Sequence, residues 1–295
     1  MKVAAAAYAL DVLESWQAYE DKLAAWVAEA AGAGAELLVF PEYGAMELAT
    51  LAGPEVAGDL EGSLHAVADR LARADAVHQR LAADYGVHIL AASGPAAGNP
   101  RPVNRARLIT PEGAVGVQDK QIMTRFEREP WDVAPGGPLR IFETDLGRIG
   151  VLICYDAEFP LLARALAEAD IILVPSCTDA LSGYWRVRIG AMARALEGQC
   201  ITVMSSLVGK ADWSEAVDIT TGAGGIFGPP DRGFPPSGVL AVGEIGQCGW
   251  TYAQIDLQAI AAVRRDGDVL NRAHWEDQPS RVQSVTTIPL RAERP

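Results

Sequence analysis

Short, largely apolar runs recur along the chain: Val3 to Leu10, Leu37 to Phe40, Val87 to Ala92, Gly150 to Ile153, Ile171 to Val174 and Ile201 to Met204. Such runs, bounded by turn residues, are what strands buried on both faces look like. Segments of helical period lie between them. Trp16, Tyr19, Leu23, Trp26, Val27 and Ala30 fall on one helical face, and Leu64, Val67, Leu71, Ala74, Val77 and Leu81 on another. Leu161 to Ala169 is helix-like, and Tyr184 to Leu196 reads as a helix with Trp185, Ile189, Met192 and Leu196 on its apolar side. Strands alternating with helices predict an α/β fold whose sheet is covered by helices. Two hairpins interrupt the alternation. One joins Arg105–Thr110 to Ala114–Gln118 through Pro111-Glu112-Gly113, the other Arg140–Thr144 to Arg148–Ile153 through Asp145-Leu146-Gly147. The sheet is therefore expected to be mixed. No repeat, low-complexity segment or linker divides the 295 residues, so they read as a single domain, 1–295. From about residue 265 to 295 the periodicity is weak, and a tail or arm is expected.

Composition narrows the function. Hydrophobic residues make up 49% of the chain, enough for a large core. A formal charge of −13 repels phosphate backbones, so no nucleic-acid partner is expected. No apolar run approaches the roughly 20 residues of a membrane span, so no membrane partner is expected either. Met1-Lys2 before Val3 to Leu10 only faintly resembles a leader, because Asp11 and Glu14 follow at once. The four cysteines, Cys154, Cys177, Cys200 and Cys248, form no C-x-x-C pair, and few cysteines in a long chain fit a reducing, cytoplasmic setting. His65, His78, His88 and His274 are scattered, so neither a metal site nor a cofactor is expected.

Three reactive residues follow strands. Glu42 comes after Leu37 to Phe40 and Pro41, Lys120 after the first hairpin, and Cys154 after Gly150 to Ile153. A carboxylate, an ammonium and a thiol in one pocket can carry out acyl transfer. The glutamate takes the thiol proton, and the lysine favours a thiolate and faces the oxyanion formed when sulfur attacks a carbonyl. Helix N–H groups beyond Cys154 favour the thiolate further, and the N–H of Tyr155 is a candidate second oxyanion donor. Each residue alone also has a plain reading: a buried strand-end cysteine, a solvated turn carboxylate, an exposed hairpin lysine. Three complementary strand ends together outweigh it.

Phe40-Pro41-Glu42, then Asp119-Lys120-Gln121, then Cys154-Tyr155-Asp156-Ala157-Glu158-Phe159-Pro160 resemble, in that order, the motifs of the nitrilase superfamily of carbon–nitrogen hydrolases. The resemblance runs from about Val3 to Val242. It implies a four-layer α-β-β-α sandwich with mixed sheets. It also implies Glu42 as base, Lys120 as oxyanion-stabilising cation, Cys154 as nucleophile, and pairing into a homodimer or higher even assembly. Many members add a second glutamate soon after the lysine. Glu127 and Glu129 both qualify; spacing does not choose between them, and Glu127 is preferred. The chain departs from the pattern at Leu161, where glutamate is common. Cys-Tyr-Asp is more like the amidase branches than true nitrilases, so the expected substrate is a small amide or carbamoyl compound. The alternatives are nitrile hydrolysis by the same triad, or a non-catalytic binding protein retaining the fold. A Cys-His hydrolase is disfavoured, because no histidine stands at a strand end near these motifs.

Overall fold

In the computed structural model, which describes residues 1–290, the first apolar run forms β1 (Lys2–Tyr8), and the sheet grows from it on both sides. α1 (Trp16–Gly32) starts where the Ser15 hydroxyl accepts the Ala18 N–H, satisfying one of the free donors of its first turn. β2 (Leu37–Val39) follows, then α2 (Pro54–Gly58), α3 (Leu60–Ala68) and α4 (Leu71–Tyr85). β3 (His88–Ala96) lies parallel to β2, and the first hairpin supplies β4 (Val103–Ile109) and β5 (Val115–Asp119). After α5 (Arg125–Arg128), the second hairpin supplies β6 (Ile141–Thr144) and β7 (Gly147–Val151). Then come α6 (Pro160–Ala165), β8 (Ile171–Ser176), α7 (Leu181–Gly198) and β9 (Ile201–Leu207). The strand order is β5-β4-β3-β2-β1-β9-β8-β7-β6. A small ribbon, β10 (Gly209–Lys210) with β11 (Ile219–Thr220), precedes β12 (Gly225–Phe227), β13 (Val239–Val242), β14 (Gly249–Gln254) and α8 (Leu257–Asp266).

Alternate side chains of the central strands serve two cores. Ala4, Ala6, Leu38 and Ile89 pack with Leu23 and Val27 of α1 and with Val67, Val77 and Leu81 of α3 and α4. Val3, Ala5, Leu37, Val39 and Leu90 share a second cluster with Ile149, Val151, Val203 and Phe227, and with Val187 and Ala191 of α7. The sheet therefore bends back on itself where β1 meets β9, a junction of only two register pairs. Its two ends close against each other. Phe142 of β6 lies so near Gly116 of β5 that a Cβ there would sit 2.6 Å from the ring. The Arg140 guanidinium donates to the Val117 carbonyl at 2.8 Å. The layers are helix, half-sheet, half-sheet, helix, as expected.

Several boundaries differ from the sequence expectation. The long helical pattern of Leu64 to Leu81 is two helices, α3 and α4, parted at Asp69-Arg70. β3 runs past the apolar run that ends at Ala92 and on to Ala96, through a bulge between Ala91 and Gly94. The helix expected over Leu161 to Ala169 is the shorter α6, preceded by a 3₁₀ turn at Cys154–Glu158. α7 buries Tyr184, Val187, Gly190, Ala191 and Ala195, leaving Trp185, Ile189 and Leu196 exposed. The small residues face inward because α7 lies close on the turn after Cys154: a Cβ at Gly190 would come 2.8 Å from the Ala157 carbonyl. In the C-terminal stretch, Arg164 donates to the Trp275 carbonyl at 3.0 Å, while Val282, Val285 and Ile288 are exposed.

Candidate active site

Closing the sandwich brings the ends of β2, β5 and β7 together. Pro41 has no N–H to donate, so the chain leaves the sheet there and Glu42 turns inward. Lys120 follows β5 directly, and its N–H donates to the Asn104 carbonyl at 2.9 Å. Cys154 opens the 3₁₀ turn after β7 with φ of 50°, a left-handed conformation that costs a non-glycine residue about 1–3 kcal/mol. Arg194 of α7 supports that turn by donating to the Ala157 carbonyl at 3.1 Å. All three side chains are buried, Glu42 and Lys120 to 1% exposure and Cys154 to 4%.

Lys120 Nζ donates to Glu42 Oε1 at 2.7 Å, and to the two oxygens of Glu127 at 2.8 and 2.7 Å. Glu42 Oε1 also accepts from Asn104 Nδ2 at 3.0 Å, and Glu42 Oε2 accepts the Cys177 N–H at 2.9 Å. Cys154 Sγ lies 3.6 Å from the Cys177 carbonyl and within hydrogen-bonding reach of Glu42. The structure thus joins Glu42, Lys120, Cys154 and Glu127, and it leaves Glu129 out. Glu129 is exposed and pairs with Arg125 at 2.8 Å, one turn along the surface. Glu127 is drawn in by a capping box: it accepts from both the Thr124 N–H and the Thr124 hydroxyl at 2.8 Å. The Tyr43 hydroxyl donates to Glu127 at 2.7 Å. Tyr155 follows the sulfur in the turn and lines the same cavity, of about 460 Å³, with Trp131, Thr178 and Val187. That volume suits a small organic molecule.

Burial lifts the Glu42 carboxyl to about 7, against the pull of Lys120. Burial also pushes the Cys154 thiol well up; the Glu42 charge adds to this and Lys120 opposes it. Two carboxylates face one ammonium here, so a further negative charge on sulfur is disfavoured. The resting thiolate expected from the sequence is therefore corrected: the sulfur rests as a thiol beside a base poised near neutrality. Burial alone would lower the Lys120 pKa, but Glu127 and Glu42 outweigh it and raise it. Burial would likewise raise Glu127, but Lys120, Tyr43 and Thr124 hold it low.

Sequence reasoning missed three supporting residues. Tyr43 holds Glu127, and Asn104 holds Glu42. Asp156, 1% exposed, accepts the Gln121 N–H at 3.1 Å, the Ile122 N–H at 2.8 Å and the Ile153 N–H at 3.2 Å. One carboxylate thereby ties the segment after Lys120 to the residue before Cys154. Its place in the Cys-Tyr-Asp sequence was visible; its partners were not.

A model of the carbon-nitrogen hydrolase family matches residues 2–233. The chain belongs to that family. The probable hydrolase YhcX of Bacillus subtilis is 37% identical over 191 residues, which are 64% of this chain and 37% of that protein. This chain thus spans little more than a third of its length. An (R)-stereoselective amidase of a Pseudomonas species is 31% identical over 248 residues, 80% of this chain and 78% of that one. Among solved structures, a carbon-nitrogen hydrolase from Helicobacter pylori shares the fold of this family member with a TM-score of 0.75 at 18% identity, covering 96% of this chain and 98% of its own.

Proposed function

We propose that this carbon-nitrogen hydrolase cleaves a small non-peptide amide or carbamoyl compound through a thioester on Cys154. One observation carries the reading: a thiol, a base near neutrality and a buried ammonium form one bonded network on a cavity of about 460 Å³. Glu42 takes the thiol proton as sulfur attacks the carbonyl carbon. The charge that develops on oxygen meets Lys120 and the Tyr155 N–H. Glu42 passes its proton to the nitrogen as the C–N bond breaks and ammonia or an amine departs. It then deprotonates a water that attacks the thioester; the C–S bond breaks, the proton returns to the sulfur, and the acid leaves. Glu127 keeps Lys120 charged and aimed. The amidase names of relatives point the same way.

A panel of short amides, N-carbamoyl compounds and nitriles tests this, read by released ammonia or amine and by peptide mass after acid quench. Turnover of amides or carbamoyl compounds, with an acyl adduct on the Cys154 peptide, is expected. An adduct elsewhere, or turnover of nitriles only, overturns the assignment.

We also propose a homodimer or higher even assembly that covers the outer face of α7. Leu181, Trp185, Ile189 and Leu196 are 50%, 42%, 62% and 43% exposed along that face, and Leu161 beside them is 75% exposed. Contiguous large apolar side chains on a surface mark an interface. Light scattering at micromolar concentration is expected to give an even multiple of 31.3 kDa. The mass of one chain would refute the assembly.

A further inference from the structure

We infer that Asn104, oriented by Ser93, is a positioning residue that holds Glu42 ionised and directs the thiol proton to Glu42 Oε2. The inference rests on the reading of Glu42 as the base. Asn104 lies on β4 opposite Pro95, fully buried, and Ser93 sits in the bulge of β3 just before that pair. The chain of bonds begins at a donor whose direction is fixed. The Tyr43 N–H donates to Ser93 Oγ at 3.1 Å, so the Ser93 hydroxyl gives its own proton to Asn104 Oδ1 at 2.7 Å. That sets the amide, and Nδ2 must point at Glu42 Oε1, 3.0 Å away. Tyr43 follows Glu42 in sequence, so the ring of bonds closes on the residue it serves.

Oε1 then accepts from both Asn104 and Lys120, which fills its two in-plane lone pairs. Oε2 accepts only the Cys177 N–H among these donors and keeps one lone pair open. That oxygen lies on the Cys177 side, where Cys154 Sγ rests against the Cys177 carbonyl. Oε2 is therefore the atom placed to take the proton. The other charged or titratable groups facing Glu42 are the neighbouring Tyr43, Lys120 after β5, Glu127 on α5, Cys154 after β7 and Cys177 after β8. Asn104 is a neutral donor that takes no part in the proton transfer, so its loss changes the base without removing the cation or the thiol.

Iodoacetamide alkylation of Cys154, followed by peptide mass against pH, tests this without knowledge of the substrate. In the wild type the rate should fall as pH drops through the Glu42 carboxyl at about 7, because a protonated Glu42 cannot accept the thiol proton. Losing a hydrogen bond to the charged carboxylate raises its pKa, so Asn104→Ala should move this limb up by about one to two pH units. Ser93→Ala should move it the same way by less, since it frees the amide without deleting it; it also decides the matter if Asn104→Ala does not fold. A limb unmoved in the folded variants, or a rate lowered equally at every pH, overturns the relay. Glu42→Gln serves as the reference. If it too keeps the limb, Glu42 is not the base, and the proposed mechanism fails. If it removes the limb while the other variants leave it in place, only the relay fails.

Discussion

Cys154→Ala is expected to abolish hydrolysis and leave the fold intact. In the proposed mechanism the sulfur is the atom that bonds to the acyl group, so no neighbour can replace it. Cys177 is near, but its N–H and carbonyl are what face Glu42 and Cys154, and burial pushes its thiol well up as well. Loss of the nucleophile in a serine protease costs ~10⁶ in kcat, and background turnover is expected here too. The structural cost is small. Alanine keeps the Cβ, so the left-handed backbone at φ of 50° is no more strained than before. The sulfur lines the cavity, so its loss enlarges a space already present. A circular-dichroism melt close to wild type, with ammonia release at background, is the expected pair of results. Retained turnover, or an unfolded variant, would remove Cys154 from its role.

The three strand ends were legible because each reactive residue directly follows a hairpin or an unbroken apolar run, and such runs specify buried strands without help from distant contacts. Glu127 was half legible. Thr124-x-x-Glu127 is a capping-box pattern, and reading it would have turned Glu127 toward the first turn of α5 and left Glu129 outside. Asn104 and Ser93 were illegible because their pairing depends on a bulge that continues β3 through Gly94 and Pro95, residues that by themselves signal a loop. The face of α7 was misjudged for a related reason. Size made Trp185, Ile189 and Leu196 look like core, but close approach to the Cys154 turn selects Gly190 and Ala191 instead. Periodicity finds a helix with two apolar stripes; it does not say which stripe meets the narrower gap.

The charge balance also governs how the site responds to pH. Glu42 is raised from its ordinary 4.5 to about 7, so its ionised form is disfavoured in the folded protein. Its contribution therefore weakens the fold as pH rises from the ordinary value through about 7, while the base function proposed for it is gained as pH passes about 7. Stability and activity pull in opposite directions at this one carboxyl. Lys120 limits the conflict, since its ammonium offsets part of the cost of the charge.

That coupling makes Lys120→Met the other variant with a large expected effect. Removing one oxyanion donor elsewhere costs ~10²–10³ in rate, and Lys120 is proposed as such a donor and is a full charge on a buried side chain, so the loss should reach at least that range. The variant also takes the ammonium away from two buried carboxylates, Glu127 and Glu42, and breaking a buried pair costs about 3–5 kcal/mol, so a lower melting temperature is expected with it. Lys120→Met combined with Glu127→Gln removes one of these two carboxylates and leaves Glu42. It should recover part of the melting temperature and none of the rate. Alkylation separates the electrostatic effect from the oxyanion effect, because iodoacetamide needs the thiolate and no oxyanion donor. Readout by peptide mass keeps Cys154 distinct from the exposed Cys248. Lys120→Met should move ionisation of the Cys154 thiol to higher pH, since Lys120 is the group that lowers it against burial and Glu42. Glu42→Gln should remove the limb near 7 and move the remaining thiol ionisation the same or lower, since a negative charge is gone. Opposite signs from two residues that touch each other at 2.7 Å are difficult to obtain from general damage to the pocket. A thiol profile that Lys120→Met leaves unmoved would place the lysine away from the sulfur and break the triad.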